Sequence, residues 1–262
     1  MVKLMSEDNF QKNYSMSTVH KAIQLMRAFT RDEKKLSLTE LHKKTGIGKS
    51  SLQRLLSTLV HERFLMKDEE TKQYSLGMEL FFMGSLVEKN DAFLSAAVPV
   101  MKNLSQLTKE NVSISVIEQN ERRCIYNIPS QHELSALTYI GKTSPLYAGA
   151  SAKTLLAFQS DEFIGNYLEQ VEFKPITDIT VNSPEALMKD ITEIRQQGYA
   201  ISHGERIKGA MSVCVPIHNR FMEVTAVLTV TLPSVRADEF DIPNLTQDLL
   251  NAAAAIEENI NS

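Results

Sequence analysis

The stretch Gly46-Ile47-Gly48-Lys49-Ser50-Ser51-Leu52-Gln53-Arg54-Leu55-Leu56-Ser57-Thr58-Leu59-Val60-His61 decides how this chain reads. Leu52, Leu55, Leu56, Leu59 and Val60 recur at the i, i+3, i+4, i+7, i+8 spacing of a helix with one buried face. The opposite face carries Lys49, Ser50, Ser51, Gln53, Arg54, Ser57 and Thr58, and no carboxylate follows until Glu62. An ordinary solvated face mixes both charge signs. This one offers hydrogen-bond donors with nothing acidic to repel phosphate, which is the chemistry that reads base edges and phosphates in a DNA groove. The alternative is a surface helix that happens to lack acids.

The neighbouring residues bear on that choice. Upstream, Thr39 is an N-cap candidate, Glu40 sits in a first helical turn, and Lys43 and Lys44 sit in a last one, all favourable to a helix dipole. Gly46 then supplies a left-handed C-terminal residue. A short helix over residues 39–45, joined to the longer one through a glycine turn, predicts a helix-turn-helix whose second helix enters the major groove. An earlier helix, capped by Ser17, is predicted to line one face with Ala22, Ile23, Met26 and Phe29. Downstream, the run Phe64-Leu65-Met66 and the alternating Gln73-Tyr74-Ser75-Leu76 flank a polar turn, the pattern of a β-hairpin. Lys67 and Lys72 flank that turn within reach of phosphates. Asp68, Glu69 and Glu70 make simple solvation a serious alternative for its tip.

Composition sets wider bounds. A chain of 262 residues with 43% hydrophobic content is comfortable for two domains. No apolar run approaches the ~18 residues of a membrane span, and residues 1–14 read as a disordered polar tail without a signal-peptide core. The two cysteines, Cys124 and Cys214, make neither a disulfide framework nor a metal-finger spacing, which suits a cytoplasmic protein. The net charge of -4 hides an asymmetry. Residues 1–77 hold 14 Lys and Arg against 9 Asp and Glu, whereas residues 78–262 hold 14 against 23. A basic N-terminal module on an acidic body places the polyanion at the small module.

Residues 78–94 are rich in large apolar side chains and predict a linking helix. Its stripe is either core or a dimer seam, with Leu80, Phe81, Phe82, Leu86 and Val87 as the seam candidates. Beyond it, residues 96–108 are helical by period. Residues 111–118 alternate as a strand, and a Gln119-Asn120-Glu121-Arg122 turn returns through Cys124-Ile125-Tyr126. Residues 134–140 are a further strand candidate. Helices are expected at 151–158, 162–168, 184–197 and 243–260, and strands at 199–202, 212–217 and 224–231. Many strands without βαβ alternation predict an antiparallel sheet flanked by helices, an α+β fold. Catalytic chemistry finds little footing. Ser151 with Lys153, or Cys214 with His203, would be the nucleophile pairs, but no nucleophile elbow surrounds either. His132, His203, Cys124 and Cys214 lack ligand spacing, and no glycine loop cradles phosphate.

Residues 17–77 resemble the winged helix-turn-helix of the IclR family of bacterial transcriptional regulators. Ser-Leu-Thr-Glu-Leu at 37–41, the quoted stretch, and a hairpin ending Tyr-Ser-Leu-Gly carry the resemblance. The family usually has a glycine after the recognition helix, where this chain has Glu62-Arg63. The second part is similar to the family's GAF-like effector domain, through residues 141–158, Gly198-Tyr199-Ala200, Glu205, Gly209 and Ser212-Val213-Cys214-Val215-Pro216-Ile217. Ala152 stands where glycine often precedes the lysine. The resemblance implies a module over residues 15–77 that binds a double-stranded DNA operator, a linking helix over 78–94, and an effector domain over 95–262. It implies an effector pocket lined by Ala150, Ser151, Ser202, Ser212, Thr229 and Thr231, with Leu134, Leu137 and Tyr147 as an apolar wall. The alternative for these hydroxyls is the solvent face of a strand. The expected protein is a cytoplasmic, non-enzymatic repressor without cofactor or metal. It is expected to respond to a small organic acid or sugar derivative, to work as a homodimer or dimer of dimers, and to have no membrane partner. The competing readings are a small-molecule enzyme, or a protein-partner sensor that no longer binds DNA.

Overall fold

A computed structural model of the chain describes residues 16–136 and 138–261. The predicted tail over residues 1–14 and the predicted pocket residue Leu137 lie outside the described residues. Two compact units divide the chain, Met1–Asn90 and Asp91–Ser262.

In the first unit, α1 (Ser17–Arg27), α2 (Leu38–Thr45) and α3 (Lys49–His61) precede a hairpin of β1 (Leu65–Lys67) and β2 (Tyr74–Leu76), and α4 (Met78–Asn90) follows. Leu25, Phe29, Leu36, Leu41, Ile47, Leu52, Leu56 and Leu65 form its core. Burying a leucine side chain is worth about 1.5–3 kcal/mol, so the four buried leucines of α3 anchor the helix and leave its polar face outward. Two caps differ from expectation. Ser17 is already helical, with Met16 at the N-cap, and α1 buries Leu25 while Ile23 is exposed. α2 is capped by Ser37, not Thr39. Ser37 Oγ accepts from the Glu40 N–H at 3.3 Å, and Glu40 Oε2 accepts from the Ser37 N–H at 2.7 Å. This reciprocal box wins because Ser37 has a carboxylate three residues on.

The turn into α3 is fixed from several sides. Gly46 takes φ 67, Thr45 Oγ1 donates to the Leu41 carbonyl at 2.7 Å, and the His42 ring meets the Ile47 carbonyl at 2.8 Å. After α3, Arg63 takes φ 62 where the family pattern has glycine. Gly77 must be glycine for space, because a Cβ there would lie 2.0 Å from the Arg63 carbonyl oxygen. Leu36 bridges Tyr74, adding a third extended position to the hairpin.

The second unit opens with α5 (Ala92–Thr108), which starts earlier than the period suggests because Asp91 Oδ1 accepts from the Leu94 N–H at 2.8 Å. The same Asp91 lies in the extended region and separates α5 from α4. Then come β3 (Asn111–Glu118), β4 (Glu121–Ile128), β5 (Thr143–Pro145), α6 (Ala150–Ala157), α7 (Asp161–Gln170), α8 (Pro184–Gln197), β6 (Ala200–His203), β7 (Ala210–His218), β8 (Val224–Pro233) and α9 (Ile242–Asn261). Gln119 and Asn120, both at positive φ, turn β3 into β4. The strand expected at residues 134–140 is absent among the described residues there; the edge strand is β5 instead. All six strands pair antiparallel in the order β5-β4-β3-β8-β7-β6. One face packs on α5 and α9 through Met101, Leu104, Leu245, Leu249 and Ile256. The other is covered by α6, α7 and α8 through Leu155, Leu156, Ile164, Leu187 and Ile191. No helix among the described residues is long and apolar enough to cross a membrane.

Candidate nucleic-acid interface and effector cavity

On α3, Lys49, Ser50, Ser51, Gln53, Arg54, Ser57 and Thr58 are all exposed. Thr58 Oγ1 turns back to the Arg54 carbonyl at 3.0 Å. Lys49 and Arg54 make no ion pair among the described residues. Four other lysines of this unit contrast with them. Lys35 is paired with Asp68 and Lys44 with Glu33. The two wing lysines, Lys67 and Lys72, are both held by Glu69 at 3.0 Å. Thr39 is exposed in the first turn of α2. Lys49 and Arg54 thus stand as exposed, unpaired cations on the acid-free face of α3.

In the second unit, antiparallel register places Ser202, Ser212 and Thr231 side by side on the face beneath α6. Ser212 and Thr231 share a hydrogen bond at 3.1 Å. Together with Ala150 and Ser151 at the start of α6, they line a cavity of about 20 Å³ that Gly149, Glu205 and Arg206 complete. Five of the six residues carried over for the pocket thus meet at one place. The sixth, Thr229, lies on the same sheet face but is turned to Cys214, donating to its Sγ at 3.3 Å. Tyr147 and Leu134 do not line this cavity. Tyr147 is buried, its hydroxyl bridges the backbone of Lys174, and it faces a larger, more open depression with Tyr167. Leu134 is 62% exposed, and its carbonyl accepts from Arg236.

Charged side chains stand at the cavity and on the same sheet face, and no sequence motif marks them. Gly149 takes φ 85, a conformation that favours glycine, and brings its N–H to Glu205 Oε2 at 3.2 Å. Lys153, a buried residue of α6 itself, donates to Asp190 and to Glu205, both at 2.7 Å. Arg206 packs against Gly149, with its Cβ 3.6 Å from where a glycine Cβ would stand. Burial pushes the Arg206 guanidinium down to about 9, and the nearby charge of Arg122 adds to the shift. Arg122 is itself lowered by burial. Neither arginine gives a signal in the sequence, Arg122 standing at the end of a polar turn and Arg206 in a polar loop.

The catalytic pairs considered from sequence do not assemble. Lys153 is held in ion pairs and so is not a free base for Ser151. Cys214 and His203 point to opposite faces by register, and burial pushes the Cys214 thiol up to about 11.

Comparison with known proteins accords with this geometry. Residues 86–258 match the family described as bacterial transcriptional regulator IclR C-terminal, and residues 18–69 match the IclR helix-turn-helix domain. The HTH-type transcriptional regulator KdgR of Escherichia coli (strain K12) is 31% identical over 242 residues, covering 92% of each chain. KipR of Bacillus subtilis (strain 168) is 32% identical over 243 residues, covering 93% of this chain and 96% of that one. The crystal structure of an IclR homologue from Microbacterium hydrocarbonoxydans, complexed with 4-hydroxybenzoate, is similar with a TM-score of 0.83 at 21% identity, covering 94% of this chain and 99% of that one. The chain belongs to the IclR family. It is a DNA-binding transcriptional regulator with a C-terminal effector domain.

Proposed function

We propose that Lys49, Ser50, Ser51, Gln53, Arg54 and Ser57 read an operator, with Thr39, Lys67 and Lys72 touching its backbone. The observation that carries this is the exposed, acid-free face of α3, on which Lys49 and Arg54 are unpaired. Lys67 and Lys72 must leave Glu69 to meet a phosphate, so their contribution is the smaller. The reading module spans residues 15–77, residues 78–94 link it, and residues 95–262 sense the effector. Bound protein represses. A small organic acid or sugar derivative held by Ala150, Ser151, Ser202, Ser212 and Thr231 changes operator affinity, with Thr229 supporting that face from behind Cys214. Leu134, Leu137 and Tyr147 keep only a peripheral place in this reading. The homologue solved with 4-hydroxybenzoate, an organic acid, supports the ligand class. Coupling of this kind is typically about 1–3 kcal/mol, or roughly 5–150-fold in operator affinity.

Two copies, or a dimer of dimers, pair through α4. None of its residues is buried, and Phe81, Phe82, Leu86 and Val87 are all more than half exposed. A symmetric dimer lets two α3 helices read two half-sites. Gel-shift titration at fixed salt tests the DNA reading: Arg54→Ala weakens operator binding by roughly 1–3 kcal/mol, and an unchanged Kd with an intact fold removes Arg54. Light scattering tests the seam. A Phe81→Glu, Phe82→Glu variant should lose the dimer, and a wild type that stays monomeric with and without DNA sinks the seam.

A further inference from the structure

The hairpin loop between β1 and β2 sets three acids, Asp68, Glu69 and Glu70, between Lys67 and Lys72, and the three acids do different things. Asp68 builds the turn. Its Oδ1 accepts from the Glu70 N–H at 3.1 Å and from the Thr71 N–H at 3.0 Å, and its carbonyl accepts from the Lys72 N–H at 2.8 Å. Its Oδ2 accepts from Lys35 at 3.2 Å. The Glu69 side chain takes no part in the turn and holds the two lysines instead. Lys67 Nζ donates to Oε1 at 3.0 Å and to Oε2 at 3.2 Å, and Lys72 Nζ donates to Oε2 at 3.0 Å. Glu70, one residue on, makes no ion pair among the described residues. Lys72 is held from an uncommon backbone position. It stands at φ 56, where glycine or asparagine sits more easily. One carboxylate thus gathers ammonium groups from both sides of the turn.

We propose that Glu69 is a specificity-determining residue of the DNA-binding module: it holds Lys67 and Lys72 off the phosphate backbone until α3 is seated in its operator, and so keeps the grip on unrelated duplex weak. The proposal rests on the reading that α3 meets base edges and that the wing lysines meet phosphates. Phosphate contacts carry no sequence information, so a wing with two free lysines would tighten wrong sites as much as right ones. With Glu69 in place, a loosely docked wing must give up two ion pairs and bring a carboxylate toward a polyanion. Glu69 and Lys72 are exposed, and exposed ion pairs are weak. That weakness suits the role. Once α3 holds the wing against the duplex, the exchange of carboxylate for phosphate becomes intramolecular, and a high effective phosphate concentration drives it.

The experiment uses the full chain and fluorescence anisotropy with a labelled duplex of random sequence, titrated between about 50 and 200 mM salt. Each phosphate newly met by a lysine steepens the plot of log K against log salt by about 0.9. Glu69→Gln should steepen it by about 1–2 and tighten binding by about 3- to 30-fold at the low-salt end. Its Tm should match wild type, because Asp68 keeps the turn. Glu70→Gln removes the same charge one residue away and frees no lysine, so its slope should stay near that of wild type. Adding Lys67→Met and Lys72→Met to Glu69→Gln should return the slope to the wild-type value. On duplex enriched from a random pool by the wild type, Glu69→Gln should gain less than on unselected duplex. Equal gains on the two duplexes overturn the specificity role, and equal effects of Glu69→Gln and Glu70→Gln overturn the masking, leaving only general charge. An unchanged slope in Glu69→Gln also overturns the proposal, and Lys67→Met, Lys72→Met in the wild-type background then separates two causes. A shallower slope there means that the lysines already hold phosphate beside Glu69. An unchanged slope means that the wing does not touch the duplex, and the reading of the wing falls with the proposal.

Discussion

The two faces of the six-stranded sheet are almost equally dry and chemically opposite. Toward α5 and α9 stand Val112, Ile114, Met211, Val213, Val215, Ile217, Leu228, Val230 and Leu232, all essentially inaccessible to water. Toward α6, α7 and α8 the same strands present Ser113, Ser115, Arg122, Cys124, Ser144, Ser202, Cys214, Thr229 and Thr231, all buried as well. Burial therefore does not tell these faces apart; satisfaction of polar groups does. Ser115 Oγ, Ser144 Oγ, Arg122 Nε and Arg206 Nη1 are buried without partners on or beside the second face. Folding alone does not favour such a surface, since each desolvated, unpaired polar group costs about 1–3 kcal/mol. The first face holds the domain together, and the second carries the unsatisfied polar groups on the side of the sheet where the proposed effector cavity lies.

The largest effect should come from the one place where the polar side is structurally tied. Lys153→Met removes the cation between Asp190 and Glu205 and leaves two carboxylates facing each other under α6. Breaking a buried pair in this way costs about 3–5 kcal/mol, read as a fall in urea midpoint at unchanged slope. A cost under about 1 kcal/mol would break the contrast, because the polar side would then lack any structural anchor. On the apolar side, Leu228→Ala opens a cavity among fully packed neighbours and should cost about 2–5 kcal/mol. Effector affinity should be unchanged in this variant, in whichever assay reads it. Thr229→Val should cost less, about 0.5–1.5 kcal/mol, for the loss of its bond to Cys214 Sγ. A larger loss would mean that the hydroxyls of this face are structural after all.

The sequence carried much of this, unevenly. α3 was legible because five apolar residues at helical spacing leave no other way to bury them, and Gly46 and Gly198 mark helix ends by their left-handed backbone. The hairpins followed from polar turns between apolar runs. Ser37 was legible too: Ser-x-x-Glu is a capping signature, and Thr39 was preferred only for lying next to the periodic residues. Residues 134–140 read as a strand candidate, but none of the described residues there joins the sheet, while the three-residue β5 is too short to show a period. The cavity hydroxyls came from resemblance, and strand register then brought five of the six carried-over residues together. Arg122 and Arg206 did not, because a lone arginine beside a polar turn reads as solvated. Only the fold reveals that β4 turns Arg122 inward and that the 204–209 loop tucks Arg206 under Gly149.

The smallest change tests the contrast most directly. Ser115 lies in the middle of β3, opposite Cys124 and Val227, fully buried, and its hydroxyl has no partner. If the second face were an ordinary polar core, that hydroxyl would be bonded, and Ser115→Ala would destabilise by about 1 kcal/mol. With the hydroxyl orphaned, its removal costs only a small loss of contacts and recovers the desolvation penalty. The expected outcome is therefore a change between zero and about 1 kcal/mol in favour of the variant, a Tm equal to wild type or up to about 4 °C higher. Operator binding without effector should be unaffected. A response to the effector that weakens in Ser115→Ala would extend the ligand-facing surface from the α6 end of the sheet to its centre. A Tm several degrees lower would show that the hydroxyl is bonded in solution, and the two faces would then differ less than their side chains suggest.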